Sequence, residues 1–401
     1  MAIAASLAGP AAAQSARFSF DEEAAGHVTV AAGSRYDPDR GYGWEDAGRF
    51  SLRLPEGNYR VTLVLGGGRA SETTVKAESR RLMLEAVHTP RDKTITRSFV
   101  VNVRTASLGE LPLNAPGGPS VRLKPGEIGS ATWDDKLTLE FLGAAPHVSR
   151  VAIEPADVPT LYLTGDSTVT DQRAEPGASW GQMLPRFLDD RIAVANHAES
   201  GETLKSFLTS LRFDKVLEWM RPGDFLLIQF GHNDQKSQWP QTYADPAITC
   251  RAYLRAYIAE ARRRGATPIL VTSPERRNFD QAGRIKPSHG DYPEAVRAVA
   301  REEGVALIDL TPMSVAFYEA LGPERSPLAF SDGGRDLTHH NNYGAYELAR
   351  MIASRLDVAG PAMAGHVLPE ARNYDLAHPS PPERFMLPAS GLRSDRRPDG
   401  D

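Results

Sequence analysis

Tyr162-Leu-Thr-Gly-Asp-Ser-Thr-Val169 is the stretch on which the reading of the fold turns. Leu161-Tyr-Leu163 is a compact apolar run, and Gly165-Asp-Ser167 follows it directly, so a hydroxyl emerges where a strand ends. Further along, similar runs recur at Ile192-Ala-Val-Ala195, Phe225-Leu-Leu-Ile-Gln-Phe230, Pro268-Ile-Leu-Val271 and Val305-Ala-Leu-Ile308. Between them lie stretches of helical spacing, such as Ile248 to Arg264 and Tyr292 to Glu303. Strand and helix therefore alternate, and right-handed crossovers turn that alternation into a parallel sheet with helices on both faces. The ligand site of such a sheet lies beyond the carboxyl ends of its strands.

Upstream the rhythm is different. Arg49 to Leu54, Tyr59 to Val64, Ser98 to Val103 and Leu137 to Phe141 largely alternate apolar with polar residues and are separated by turn residues, which predicts an antiparallel all-β sandwich over residues 17–155. Glu154-Pro-Ala-Asp-Val-Pro159 is a short linker into an α/β domain over residues 159–358. Beyond it the periodicity is lost and proline accumulates. Residues 359–401 are expected to form an extended tail, either wrapped on the domain or mobile, with Arg393 to Asp401 disordered. Residues 1–16 are set aside as a disordered leader or signal-peptide remnant, because Met1 to Gln14 is apolar and Ala-rich with a small-residue cleavage site near Ala13. That reading predicts a secreted or periplasmic protein.

The 401 residues suit two domains, and the 41% hydrophobic and 24% charged content is ordinary for a soluble protein. No apolar run approaches the ~20 residues of a membrane span. With 46 basic and 51 acidic side chains, the formal charge of -5 argues against bulk attraction to nucleic acid or an anionic membrane. The single cysteine, Cys250, excludes an intrachain disulfide and any multi-cysteine metal site. No His-Glu-x-x-His pattern is present either, so neither a metal nor a cofactor is expected.

A serine hydroxyl is a weak nucleophile until a base lies within hydrogen-bond reach and a third group orients that base. Asp336-Leu-Thr-His339 offers both, since residues three apart point the same way in a helical turn. Asp336 would bond Nδ1 of His339 and leave Nε2 for the proton of Ser167. Acyl transfer also needs donors aimed at the developing oxyanion. Candidates are the N–H of Ser167, the N–H of Gly201 at the end of Asn196-His-Ala-Glu-Ser-Gly201, and the side-chain amide of Asn233 in Gly231-His-Asn-Asp234.

In these blocks the chain resembles the SGNH (GDSL-type) hydrolases, over roughly Thr160 to Leu356. The resemblance implies a three-layer α/β/α, flavodoxin-like domain with a five-stranded parallel sheet. Tyr162 to Val169, Ser179-Trp-Gly-Gln182, Gly231-His-Asn-Asp-Gln235, Pro274-Glu-Arg-Arg-Asn-Phe279 and His289-Gly-Asp-Tyr292 bring it nearest to rhamnogalacturonan acetylesterases and related pectin or xylan deacetylases. Members of that group often carry a β-rich, galactose-binding-like domain in front. The implied activity is removal of acetyl groups from plant cell-wall polysaccharide by way of an acetyl-enzyme, and the implied partner is an acetylated polysaccharide or oligosaccharide. A lipid esterase on the same scaffold and a carbohydrate-binding protein with a vestigial centre are the alternatives.

Rival readings attach to several residues. Gly177-Ala-Ser-Trp-Gly181 matches the G-x-S-x-G elbow formally, but no strand precedes it and Ser179 is expected to cap a helix. His340 competes with His339 for the role of base, and His197 and His232 are given none. Asp332 and Asp336 are alternatively caps of the following helix, and Asn233 and Asp234 a turn former and a cap. Arg276, Arg277, Arg284 and Lys286 share one loop at the functional edge and are read either as solvated side chains or as a docking patch for substrate carboxylates. Tyr36, Tyr42 and Trp44 are candidates for sugar stacking, with burial in the sandwich the expected alternative.

Overall fold

The structure is a computed structural model that describes residues 15–109, 116–394, 396 and 397; the leader at Met1 to Gln14 and the far end of the tail lie outside the described residues. Two five-stranded sheets built from the first half of the chain share one core. One sheet comprises β1 (Ala16–Ser19), β2 (Val28–Thr29), β5 (Gly57–Gly67), β8 (Lys93–Val103) and β10 (Val148–Pro155), in the order β2-β1-β10-β5-β8. The other comprises β3 (Tyr42–Trp44), β4 (Arg49–Arg53), β6 (Ser71–Ala77), β7 (Arg81–Thr89) and β9 (Lys136–Ala145), in the order β3-β4-β9-β6-β7. Alternation decides which side chains enter: Tyr59, Val61, Leu63 and Leu65 of β5 are buried against Phe50, Leu137 and Leu139 of the facing sheet. Tyr42 and Trp44 pack on Phe18, Phe20 and Phe50, so these aromatics belong to the sandwich core.

β6 and β7 have no clean alternation in sequence, because both of their faces are covered. Leu82 enters the core of the second half, and Lys76, Arg80 and Arg81 are buried at the junction between the halves. Arg81 Nε bonds Asp171 at 2.6 Å with both side chains almost wholly buried, and Arg80 pairs with Glu175 at 2.6 Å.

After residues 156–159 the chain enters β11 (Thr160–Gly165), which pairs in parallel with β12 (Ala193–Asn196) and β13 (Phe225–Gln229); β14 (Thr267–Val271) and β15 (Ala306–Ile308) follow, in the order β12-β11-β13-β14-β15. β11 and β13 are buried along their whole length, which explains their continuous apolar runs. Leu161, Leu163, Leu227, Ile269 and Val271 face α1 (Trp180–Met183), α6 (Leu310–Arg325) and α7 (Asn342–Ala353). Tyr162, Leu226, Ile228 and Leu270 face α2 (Leu204–Thr209), α3 (Arg212–Trp219), α4 (Thr249–Arg263) and α5 (Tyr292–Glu303). α4 buries Cys250, Leu254, Tyr257, Ile258 and Ala261, the stripe its helical spacing predicts.

The tail differs from a purely extended chain. Pro361 and Pro369 each stand in the first turn of a short helix, where a missing N–H costs nothing. Farther on, Lys76 Nζ donates to Pro388 O at 2.9 Å, Ser390 Oγ donates to Glu140, and Leu392 and Ser394 exchange backbone hydrogen bonds with Glu175. Residues 388–394 thus strap the sandwich to the α/β half, and Arg393 and Ser394 are ordered parts of that strap.

Arg81→Met would leave the Asp171 carboxylate buried without its partner. The expected result is a loss of about 3–5 kcal/mol of unfolding free energy, measured by urea denaturation; a loss under about 1 kcal/mol would contradict a buried pair at this junction.

Candidate active site

Ser167 sits in the turn that leaves β11, with its side chain at the carboxyl edge of the sheet. Its turn is made by Asp166, whose carbonyl accepts from Val169 and Thr170 and whose Oδ1 accepts from the N–H and hydroxyl of Thr168. Burial raises the Asp166 carboxyl above its usual range, partly offset by the Thr168 bonds. Gly165 admits this turn because a Cβ there would lie 2.5 Å from Val169 Cγ2 and 2.7 Å from Gln229 O.

Ser167 Oγ is 2.9 Å from Nε2 of His339, and Nδ1 of His339 is 2.9 Å from Oδ2 of Asp336. With Nδ1–H donating to the carboxylate, Nε2 is the acceptor for the serine hydroxyl. Asp336 and His339 lie in a bend ahead of α7 rather than in a helix. Oδ1 of Asp336 accepts from the backbone N–H of both Thr338 and His339, so the carboxylate makes the bend and aims the imidazole together. Burial acts to raise the Asp336 carboxyl, but the hydrogen bond and charge of His339 and the two backbone donors outweigh it and hold it well below the usual range.

The oxyanion candidates converge on the same edge. Gly201 has a φ of +78, which suits glycine, and among the described residues neither its N–H nor that of Ser167 has a hydrogen-bond partner. Asn233 Nδ2 donates to Glu202 O at 3.1 Å, tying the Gly231–Asp234 loop to the Gly201 loop. Asp234 caps α2 by accepting from Leu204 N at 2.9 Å, and burial pushes its carboxyl up to about 7. Burial and then the negative charge of Glu127 push the Glu199 carboxyl, in the Gly201 loop, up to about 7 despite Arg173 at 3.0 Å. A cavity of about 280 Å³ opens beside this edge, lined by Gly126, Gln172, Arg173, Ser200, Ser331 and Arg396 among others.

The capping expectations are corrected, while the other candidate side chains take the following places. The helix cap ahead of α7 is Asn341, not Asp332 or Asp336. Ser179 holds the N-cap position of α1 but makes no cap bond; its hydroxyl donates to the Thr170 carbonyl instead. His340 turns into the core, bonded to the Tyr318 hydroxyl at 2.7 Å. His232 is buried edge-on to His289, and His197 is buried near Trp133 and Tyr162. Arg277 donates to Gly334 O and lies over the Phe330 ring, bracing the loop that carries Asp336 and His339. Arg276 lies against Ser288, His289 and the His232 carbonyl. Arg284 is exposed and 3.3 Å from Glu319, and Lys286 is exposed. The loop is therefore largely occupied with internal contacts.

What the residues in isolation do not disclose is the role of Ser179-Trp-Gly-Gln182. Trp180 Nε1 donates to Gln229, Gln229 donates to Thr168, and Gln182 donates to Gln172 O, while Gln172 donates to Ser167 O. This chain of bonds clamps the Ser167 turn from the adjoining helix.

Residues 163–346 match the GDSL-like Lipase/Acylhydrolase family. The chain is 38% identical over 221 residues to rhamnogalacturonan acetylesterase RhgT of Bacillus subtilis (strain 168), covering 52% of this chain and 94% of that one. The chain belongs to this family. It is also 36% identical to the probable rhamnogalacturonan acetylesterase YesY of the same organism, over 52% of this chain and 98% of that one. The uncharacterized esterase YxiM, again of Bacillus subtilis, is 27% identical over 84% of this chain and 88% of its own length. As a GDSL-type (SGNH) member, the chain is a carboxylic ester hydrolase.

His340 gives this hydrolase a pH signature. Burial and then the charge of His339 lower its pKa from the ordinary 6.5 to about 3. Because the folded value is depressed, this contribution to stability is complete above about pH 6.5 and is lost as pH falls toward 3, at up to ~1.4 kcal/mol per pH unit. His340→Asn should flatten the decline of the urea midpoint between pH 6.5 and 4.5; an unchanged slope would show that His340 does not titrate as a buried neutral ring.

Proposed function

We propose that this chain is a serine O-acetylesterase that removes acetyl groups from plant cell-wall polysaccharide, with rhamnogalacturonan or another pectin as substrate. The single observation that carries the reading is the unbroken hydrogen-bonded line from Ser167 through His339 to Asp336 at the open edge of the sheet. Ser167 attacks the acetyl carbonyl as His339 takes its proton, and Asp336 holds the imidazole in the right tautomer and stabilises its charge. The N–H groups of Ser167 and Gly201 and the amide of Asn233 receive the oxyanion. His339 then protonates the departing sugar hydroxyl, and water repeats the cycle to release acetate.

Two relatives bearing the name rhamnogalacturonan acetylesterase, matched over nearly their full length, support the substrate class. In this reading the sandwich is a galactose-binding-like accessory module. A cell-wall polymer is met outside the cytoplasm, so the enzyme is read as secreted or periplasmic.

Ser167→Ala is expected to lower hydrolysis of 4-nitrophenyl acetate by about 10⁴-fold or more. Ser179→Ala, which removes one buried hydrogen bond, should stay within roughly ten-fold of the parent. Acetate release from acetylated rhamnogalacturonan should exceed that from acetylated xylan; the reverse order would reassign the substrate.

A further inference from the structure

The Gly201 loop is gripped from outside its own domain. Lys124, in the segment between β8 and β9, donates through Nζ to the Ser200 carbonyl and stands 3.1 Å from the Glu202 carboxylate. Its position is itself fixed: the Lys124 N–H donates to Glu127 Oε2 at 2.8 Å, and Glu127 N donates back to Lys124 O at 2.9 Å. The Glu127 carboxylate is wholly buried, bonded by Trp133 Nε1 at 2.8 Å and by both terminal nitrogens of Arg212. Arg212 in turn lies 3.6 Å from Glu202. The segment is seated through Val121 N on Ala106 O and Arg122 N on Ser210 O.

The carbonyl that Lys124 holds and the N–H of Gly201 belong to one peptide unit. That unit is planar and trans, so C=O and N–H point in opposite directions and cannot be turned independently. Fixing the carbonyl on an ammonium group therefore fixes the line along which the Gly201 N–H projects. A cation on the oxygen also draws electron density from the nitrogen and strengthens the N–H as a donor, the cooperative effect of linked hydrogen bonds. Glycine at φ +78 resists rotation of this peptide less than other residues do, so the orientation needs an external hold. Asn233 supplies a grip on the next-but-one carbonyl, Glu202 O, and Lys124 supplies the one on Ser200 O.

We propose that Lys124 is a positioning residue for ester hydrolysis: by holding the Ser200 carbonyl it aims and polarises the Gly201 N–H at the oxyanion, so the β-rich half completes the catalytic centre. This rests on the oxyanion role given to Gly201 above. A sandwich that served only as an accessory sugar-binding module would leave the hydrolysis of a small soluble acetate unaffected.

The test is steady-state hydrolysis of 4-nitrophenyl acetate by the full chain carrying Lys124→Met or Lys124→Arg, with near-ultraviolet circular dichroism as the check on folding. Losing a direct oxyanion donor costs about 10²–10³ in kcat, and an indirect hold on one is expected to cost about ten-fold or more. Lys124→Met should show that fall in kcat with KM within two-fold of the parent, and Lys124→Arg, which keeps a cationic donor, should recover most of it. A folded Lys124→Met enzyme at the parental kcat, or an equal loss in Lys124→Arg and Lys124→Met, overturns the proposal. Should Lys124→Met not fold, Lys124→Gln takes its place beside Lys124→Arg, and a parental kcat in Lys124→Gln or equal losses in the two overturn the proposal in the same way. Ser167→Ala run alongside separates the two levels: its inactivity beside a fully active Lys124→Met overturns the positioning role alone, whereas an active Ser167→Ala overturns the serine mechanism and this inference with it.

Discussion

A hydrogen bond of 2.9 Å between Ser167 and His339 joins positions far apart in sequence, and most of the α/β half is organised so that those two atoms meet. Each partner is held from behind. The serine turn is clamped by Trp180, Gln229 and Gln172, and the histidine bend is made by Asp336 and backed by Arg277 and Phe330. An alcohol becomes useful as a nucleophile only while its base is in reach, so looseness on either side would cost rate before it cost stability. The packing around the pair is accordingly polar and largely buried, with side chains bonding both backbone and one another.

How much of this is legible in the sequence follows from the range of each interaction. The five parallel strands and the stripes of α4 and α5 are readable because periodicity is local, and the strand ends then locate Ser167, Gly201 and Asn233 at one edge. Asp336 and His339 are legible as neighbours, but the helical turn expected of them is the wrong element. A three-residue separation brings side chains together in a helical turn, and here an aspartate-made bend does the same. Arg276 and Arg277 look like surface charges in sequence because no local signal shows that Gly334 O and His232 O await them. β6 and β7 escape for a related reason: their second face is covered by a segment that comes much later in the chain. The contributions of Lys124 and Glu127 to the Gly201 loop are invisible for the same cause.

The junction between the halves is unusually charged for buried surface. Arg81 with Asp171, Arg80 with Glu175 and Arg212 with Glu127 are all nearly or wholly buried. Taking such pairs out of water is costly, and apolar contacts of equal volume often stabilise as well or better. What ion pairs add is direction: each is satisfied at only one relative placement of its two partners. That is the property the proposed hold of Lys124 on the Gly201 loop requires.

The strap formed by residues 388–394 crosses both halves and ends beside the cleft, where Arg396 contributes to the wall. Glu175, the residue it pairs with, is synthesised long before it. Ser390 and Glu175 are 215 residues apart, so the side of the cavity to which Arg396 contributes is built by tertiary contact rather than by neighbours in sequence. Releasing the strap would therefore loosen that wall of the cavity while leaving the Ser167–His339 bond in place.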